Sequence, residues 1–126
     1  MPKRILIIDD DEDILEILNI VFQGEGFEVI VSNTGETARH LDVIHPDLVL
    51  LDVRIAGYEK RGNEICAEIK KQHPFQTIPV ILVSAESDID RLASGCGANG
   101  YIKKPFDVEE LSRTVKELLT ADQNNG

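Results

Sequence analysis

Four short apolar segments in this chain each end in residues that can carry or support chemistry. Aspartates follow the first two segments, a serine follows the third, and two lysines and a proline follow the fourth. The segments with their polar ends are Ile5–Ile8 before Asp9 and Asp10, Leu48–Leu51 before Asp52, Val80–Val83 before Ser84, and Tyr101–Ile102 before Lys103, Lys104 and Pro105. Carboxylates, a hydroxyl and an ammonium group are the parts needed to place a phosphoryl group on an aspartate and hold it there.

The acidic residues favour a metal site. Carboxylates crowded together repel one another, and a divalent cation relieves that repulsion. An all-oxygen set suits Mg²⁺. We therefore expect Asp9 and Asp10 to bind the metal, while Asp52 faces it and attacks an electrophilic phosphorus in line. The structural alternative is a helix N-terminus, where acids complement the helix dipole. It accounts for Asp11 and Glu12 better than for acids that begin directly at the strand end.

The third and fourth segments supply a hydroxyl and a cation. Ser84 can donate a hydrogen bond to a phosphoryl oxygen, and the small Ala85 beside it leaves room for that oxygen. Lys104 would pair with Asp52 before reaction and with the phosphoryl group afterwards, whereas Lys103 should face the other way. The structural alternatives are a serine that opens a loop and an ordinary surface lysine.

Strand-like and helix-like segments alternate along the chain, which predicts βαβ units and a parallel sheet. The apolar segments suit strands buried on both faces, and ligands bind at the carboxyl ends of such strands. The predicted strands are Arg4–Ile8, Glu28–Val31, Leu48–Asp52, Pro79–Ser84 and Gly100–Lys103. The predicted helices are Asp11–Gln23, Gly35–Ile44, Asn63–Gln72, Ile89–Ser94 and Val108–Leu119.

Composition narrows the classes of function. The chain has 126 residues with a formal net charge of −10, so nucleic-acid binding through bulk electrostatics is disfavoured. No apolar run approaches the roughly 20 residues of a membrane span, and no secretory pattern is present. Cys66 and Cys96 lack metal-ligand spacing, so we expect free thiols in a cytoplasmic protein. We expect one domain over residues 1–120 and a flexible tail over residues 121–126.

Together, the four motifs resemble a response-regulator receiver domain of two-component signalling, over nearly the whole chain. All four occur in order and at roughly the expected separations. The matching stretches are Ile5–Asp11, Pro46–Asp52, Ile78–Ala85 and Gly97–Phe106. The resemblance implies a flavodoxin-like, doubly wound α/β fold, with five parallel strands in the order 2-1-3-4-5 and helices on both faces.

The resemblance also implies roles for the acidic residues. Asp52 falls on the phosphoacceptor of the family. Asp10 falls on the direct Mg²⁺ ligand, and Asp9 on the acid that binds the metal largely through water. The backbone carbonyl of Arg54 falls on a further metal ligand.

Three further positions match the elements that respond to phosphorylation. Ser84 falls on the switch hydroxyl, Tyr101 on the switch aromatic and Lys104 on the phosphate-binding lysine. A cis peptide is expected before Pro105, as is usual in the family.

The chain departs from the family pattern in two places. A typical receiver has a proline four residues after the phosphoacceptor and a glycine eight after it. Here the fourth residue is Ala56 and the comparable glycine is Gly62, so the loop is longer, with Tyr58–Arg61 inserted or rearranged. The fourth helix is shorter than usual, which affects the usual output face.

The implied function is a stand-alone signalling protein rather than an enzyme. It would receive a phosphoryl group on Asp52 from a histidine kinase or a histidine phosphotransfer protein, with Mg²⁺, and then bind a downstream protein or pass the group on. A degenerate receiver that only binds proteins is one alternative. A haloacid-dehalogenase-type phosphatase is disfavoured because Arg54 stands where its second aspartate belongs. A flavodoxin-like cofactor binder would need a phosphate-binding loop in place of Asp9–Glu12.

Two residues are expected to modulate the site. Arg54 and Glu86 each lie two residues past a site residue, Asp52 and Ser84 respectively. Their side chains have opposite charge and are long enough to meet over the mouth of the site. We expect the pair to screen an aspartyl phosphate partly from in-line attack by water.

Overall fold

Five parallel strands form one sheet in a computed structural model that describes residues 2–125, with side chains described through residue 120. The strands are β1 (Arg4–Ile8), β2 (Glu28–Ser32), β3 (Leu48–Asp52), β4 (Val80–Ser84) and β5 (Gly100–Lys103). Their order in the sheet is β2-β1-β3-β4-β5, and every neighbouring pair is parallel. The predicted fold class and strand order are therefore confirmed.

Helical segments connect the strands. They are α1 (Glu12–Gly24), a 3₁₀ segment (Gly35–His40) running into α2 (Leu41–Ile44), α3 (Gly62–Lys71), a 3₁₀ turn (Phe75–Thr77), α4 (Ile89–Cys96) and α5 (Val108–Asn125). Asp11 caps α1, since its side chain accepts hydrogen bonds from the backbone N–H groups of Asp13 and Ile14. Within the described part of the chain, no helix combines the length and the apolar character needed to cross a membrane.

Helices α1 and α3 match their predicted ranges to within one residue, but three other helix predictions were wrong by more than that or in type. The segment predicted as one helix over Gly35–Ile44 is 3₁₀ as far as His40, and α4 reaches Cys96 instead of Ser94. Helix α5 continues past Leu119 because no glycine or proline interrupts the chain before its end at Asn125. A flexible tail is predicted over residues 121–126. The side chains of these residues, and all of residue 126, lie outside the described part of the structure, so the flexible tail stays a prediction.

Each strand residue faces one of two cores, because successive side chains of a strand point to opposite sides of the sheet. The first, called here the α1–α5 core, contains Ile5, Ile7, Leu48, Leu50, Ile81, Val83 and Ile102 beneath α1 and α5. The second, called the α3–α4 core, contains Leu6, Ile8, Val49, Leu51, Val80 and Leu82 beneath α3 and α4. Both faces of the central strands are therefore covered, as their apolar sequences predict.

Candidate functional site

The pleat of the sheet brings three charged side chains to one corner. Asp9, Asp52 and Lys104 each lie two residues beyond a strand residue of the α1–α5 core, so they project on the same side of the sheet. Those core residues are Ile7, Leu50 and Ile102, respectively. Strands β1, β3, β4 and β5 are consecutive in the sheet, so their carboxyl ends hold these groups within reach of one another.

Three carboxylates meet at this corner. Asp9, Asp10 and Asp52 each offer a carboxylate oxygen, and these atoms lie within 4.8 Å of one another. Asp9 and Asp52 are buried, whereas Asp10 is exposed and accepts a hydrogen bond from the backbone N–H of Ala56 at 3.2 Å. Oxygen donors at this spacing, one of them open to solvent, suit a hard divalent cation such as Mg²⁺.

Lys104 bridges the two buried carboxylates. Its Nζ lies 3.1 Å from Asp9 Oδ2 and 3.4 Å from Asp52 Oδ2. Sequence reasoning anticipated the contact with Asp52 and missed the shorter contact with Asp9. The two-residue offset from the core strands was the signal for it, since it places both acids on the side of Lys104. The Lys104–Pro105 peptide is cis, as the resemblance implied.

Burial and electrostatic repulsion both disfavour negative charge at this corner. Burial and then the negative charge of Asp9 raise the pKa of Asp52 to about 7, although Lys104 acts in the opposite direction. Burial lowers the pKa of Lys104, but the charges of Asp52 and Asp9 outweigh burial and leave it raised. One ammonium group faces three carboxylates, so the corner has an excess of negative charge. A bound divalent cation would relieve that excess.

A cavity of about 460 Å³ opens beside Asp52. It is lined by Asp10, Asp52, Arg54, Ser84, Ala85, Glu86 and Lys104. Ser84 is buried, and its Oγ accepts a hydrogen bond from the backbone N–H of Glu86 at 3.0 Å. The hydroxyl hydrogen of Ser84 is still free to donate. The space beside Asp52 can therefore admit a phosphoryl group next to a hydroxyl donor.

Tyr101 and Lys103 lie on β5 outside this cavity. The Tyr101 side chain is 47% exposed, and Lys103 is exposed while its neighbour Lys104 turns inward. By strand alternation, Tyr101 and Ser84 share the side of the α3–α4 core. Tyr101 therefore lies on the opposite side of the sheet from Asp52, whereas Ser84, at the end of β4, also lines the cavity beside Asp52.

Two arginines hold one carboxylate at the mouth of the cavity. Arg54 Nε lies 2.6 Å from Glu86 Oε1, as the spacing of the sequence predicted, and Arg61 Nη2 lies 2.8 Å from the same oxygen. The hydrogen bond from Arg54, together with the charge of Arg61, holds the pKa of Glu86 below its ordinary value. Sequence reasoning missed Arg61. The longer loop before Gly62 was the only signal for it.

The loop after β3 is fixed at Gly62 by close backbone packing. The Gly62 N–H donates to Val53 O at 2.8 Å. A Cβ at position 62 would lie 2.1 Å from the backbone oxygen of Asp52, where nothing can move aside cheaply. Earlier in the same loop, the ring of Tyr58 covers Gly35. The longer loop is thus packed at both ends rather than projecting freely.

Comparison with known sequences gives a family match and a curated relative. The response regulator receiver domain family matches residues 5–116. The chain is 40% identical over 120 residues to the regulatory protein AtoC of Escherichia coli (strain K12). That alignment takes in 93% of this chain and 25% of AtoC, so the chain spans about a quarter of that relative's length.

Solved structures with similar folds include two receiver domains. The response regulator receiver domain protein (CheY-like) of Methanospirillum hungatei JF-1 superposes with a TM-score of 0.89 at 29% identity, covering all of both chains. The signal receiver domain of a signal transduction histidine kinase from Syntrophus aciditrophicus gives a TM-score of 0.85 at 32% identity, covering 94% of this chain and 91% of that one.

Proposed function

Because this chain belongs to the response regulator receiver domain family, we propose that Asp52 accepts a phosphoryl group from a histidine kinase or a histidine phosphotransfer protein. The observation that carries the proposal is the arrangement around Asp52. Its buried carboxylate contacts Lys104, lies close to Asp9 and Asp10, and faces an open cavity. The family is one of signalling modules, and the proposed reaction is Mg²⁺-dependent.

The site residues divide the work of transfer. An Asp52 oxygen attacks the phosphorus in line, and the bond from phosphorus to the histidine nitrogen of the donor breaks, which leaves an aspartyl phosphate. Lys104 then neutralises a phosphoryl oxygen in place of the Asp52 carboxylate. Asp10, Asp52 and the backbone carbonyl of Arg54 would hold Mg²⁺ directly, with Asp9 acting largely through water. When bound, Mg²⁺ supplies charge neutralisation on the transferring oxygens.

Output would follow from Ser84 at the end of β4 and Tyr101 on β5. The Ser84 hydroxyl donates a hydrogen bond to the phosphoryl group, and Tyr101, now exposed, changes position with it. Phosphorylation thereby shifts the populations of two conformations at the ends of β4 and β5. The partner that distinguishes the two conformations is a protein rather than a nucleic acid, since the net charge of −10 disfavours binding to phosphate backbones.

Two finer points belong to this proposal. Because the chain matches about a quarter of AtoC, no activity of the rest of AtoC is transferred to it. A cytoplasmic location is supported by the free, buried thiols of Cys66 and Cys96. A phosphatase of the aspartyl-nucleophile type is disfavoured, since Arg54 occupies the position of the required acid and pairs with Glu86.

Metal dependence tests the proposed function. Acetyl phosphate with Mg²⁺ should add the mass of one phosphoryl group to the protein, and a chelator should prevent this. Asp10→Asn should weaken Mg²⁺ binding by roughly tenfold or more, because the substitution removes a ligand charge from the cluster. Binding is followed by metal titration and labelling by mass spectrometry.

Asp11→Asn is the matched control for Asp10→Asn. It removes the same charge one residue away, and asparagine caps a helix as well as aspartate does. It should bind Mg²⁺ nearly as well as the parent. Equal affinities for the parent and Asp10→Asn would instead mean that the acidic residues serve only the helix.

Lys104→Ala should uncouple phosphorylation from the conformational change. The alanine cannot reach the phosphoryl group, so NMR signals around Ser84 and Tyr101 should respond only weakly to beryllium fluoride, a phosphoryl mimic. Mg²⁺ is kept present, because loss of the ammonium leaves the buried carboxylates of Asp9 and Asp52 without a cation. Lys103→Ala, at an exposed position, should respond like the parent. A full response in Lys104→Ala would rule out this role.

Arg54→Ala should shorten the life of the aspartyl phosphate. The exposed pair of Arg54 with Glu86 adds little stability, but it covers part of the path of an attacking water. We expect dephosphorylation about two- to fivefold faster, the size of a weak ion pair. Glu86→Ala should act similarly, and the double mutant should add little. Decay at the parent rate, or simple additivity, would show that no such screen exists.

A further inference from the structure

The charges at the mouth of the cavity do not balance. Arg54 and Arg61 both bind Oε1 of Glu86, at 2.6 and 2.8 Å, so one carboxylate serves two guanidinium groups. The side chain of Glu86 is 19% exposed, whereas that of Arg54 is 81% exposed. The two guanidinium groups therefore lie close together and share one negative charge, so each lessens the attraction of the other to Glu86.

The two arginines differ in position. Arg54 lines the cavity beside Asp52, whereas Arg61 lies outside it on the longer loop. Arg61 is also better anchored. Its backbone N–H donates to Glu64 Oε1 at 2.9 Å, and the next residue, Gly62, is fixed against Val53. The Arg54 side chain can therefore move over the cavity and away from it, whereas Arg61 contacts Glu86 from an anchored backbone.

We propose that Arg61 is a positioning residue that competes with Arg54 for Glu86 and thereby sets the lifetime of the phosphoryl group on Asp52. The inference rests on the proposed function. Arg61 weakens the hold of Glu86 on Arg54, so Arg54 screens the site only part of the time. When Arg54 is away, a water oxygen attacks the phosphorus, the bond to the Asp52 oxygen breaks, and the products are inorganic phosphate, the free carboxylate and a proton.

The proposal predicts opposite effects for the two arginines. Removing Arg54 removes the screen and accelerates hydrolysis. Removing Arg61 leaves Glu86 to Arg54 alone, which closes the screen more of the time and slows hydrolysis. A loop that merely lost stability would expose the site, and hydrolysis would then accelerate in both variants. The sign of the change therefore separates positioning from a structural effect.

The test is the decay of the phosphorylated protein after removal of acetyl phosphate, followed by mass spectrometry. Arg61→Gln should decay about threefold more slowly than the parent, the size expected for an exposed ion pair. Arg61→Lys, which keeps the charge, should decay at nearly the parent rate. The difference between Arg61→Gln and the parent should shrink at high salt, because exposed charges are screened.

Two variants complete the test. Lys60→Gln removes the neighbouring cation of the same loop, which pairs with Glu68 away from the cavity, and should leave decay unchanged. In a Glu86→Gln background, Arg61→Gln should have no further effect. Parent-like or faster decay of Arg61→Gln, or an undiminished effect without Glu86, would overturn the inference while labelling still supports the proposed function. Absence of labelling in the parent would overturn both.

Discussion

Asp52→Asn should abolish phosphorylation of this protein. Asparagine keeps the shape of the side chain but offers no carboxylate to attack phosphorus. Asp52 is the aspartate that lies at the end of β3 and contacts Lys104. Acetyl phosphate and Mg²⁺ should add one phosphoryl mass to the parent and none to the variant. Asp11→Asn, which alters only the cap of α1, should be labelled fully. Full labelling of Asp52→Asn would show that the acceptor lies elsewhere.

The same substitution should stabilise the metal-free protein. The pKa of Asp52 is raised from 3.8 to about 7 in the folded state, so the charged carboxylate costs stability at pH above 7. As the pH falls from 7 toward 3.8, Asp52 becomes protonated in the folded protein. The free-energy cost of its buried charge then disappears. Asp52→Asn should therefore gain about 1–3 kcal/mol at pH 8 and much less at pH 4. Urea unfolding in the presence of a chelator measures the free energy of unfolding of the parent and the variant at pH 8 and pH 4. An equal gain at the two pH values would contradict this account.

Gly62→Ala should cost about 3 kcal/mol of stability or more. Alanine has a higher helix propensity than glycine, so at an exposed helical position this substitution would stabilise the protein. At Gly62, however, its Cβ would lie 2.1 Å from the backbone oxygen of Asp52, and relief requires α3 to separate from the end of β3. Phosphorylation should slow as well, because the displaced segment carries Asp52. Urea unfolding and labelling with acetyl phosphate measure the two effects.

Gly95→Ala is the matched control for that substitution. Gly95 lies within α4, and nothing lies within 4 Å of a Cβ placed there. The variant should be more stable than the parent by about 0.5–1 kcal/mol, the difference in helix propensity. If Gly62→Ala were as stable as Gly95→Ala, the close packing of α3 on β3 would not exist in solution.

Local sequence predicted the strands well because their apolar runs are short and end abruptly in charged or polar residues. Strands β1, β3 and β5 begin and end where predicted, and the acids that follow β1 and β3 meet as expected. Family resemblance and strand alternation together were enough to bring Asp52 and Lys104 to one corner. The roles assigned to those residues stay predictions.

What the sequence did not reveal depends on packing between distant segments. The ring of Tyr58, which lies in a loop far along the chain, packs over Gly35 at the start of the 3₁₀ segment Gly35–His40. The contact of Arg61 with Glu86 depends on the path of that same loop, and the pattern of charges around it is common to many exposed loops. Neither could be read from local propensity or periodicity.

The two cores described above also bear on how such a protein can diverge. The carboxylate that would take the phosphoryl group projects on the side of the α1–α5 core, while Tyr101 lies, by strand alternation, on the side of the α3–α4 core. Substitutions at distant positions that share no contacts have nearly independent effects. Under selection, the α3–α4 layer can therefore accumulate changes that suit new partners while the chemistry on the other side is inherited intact.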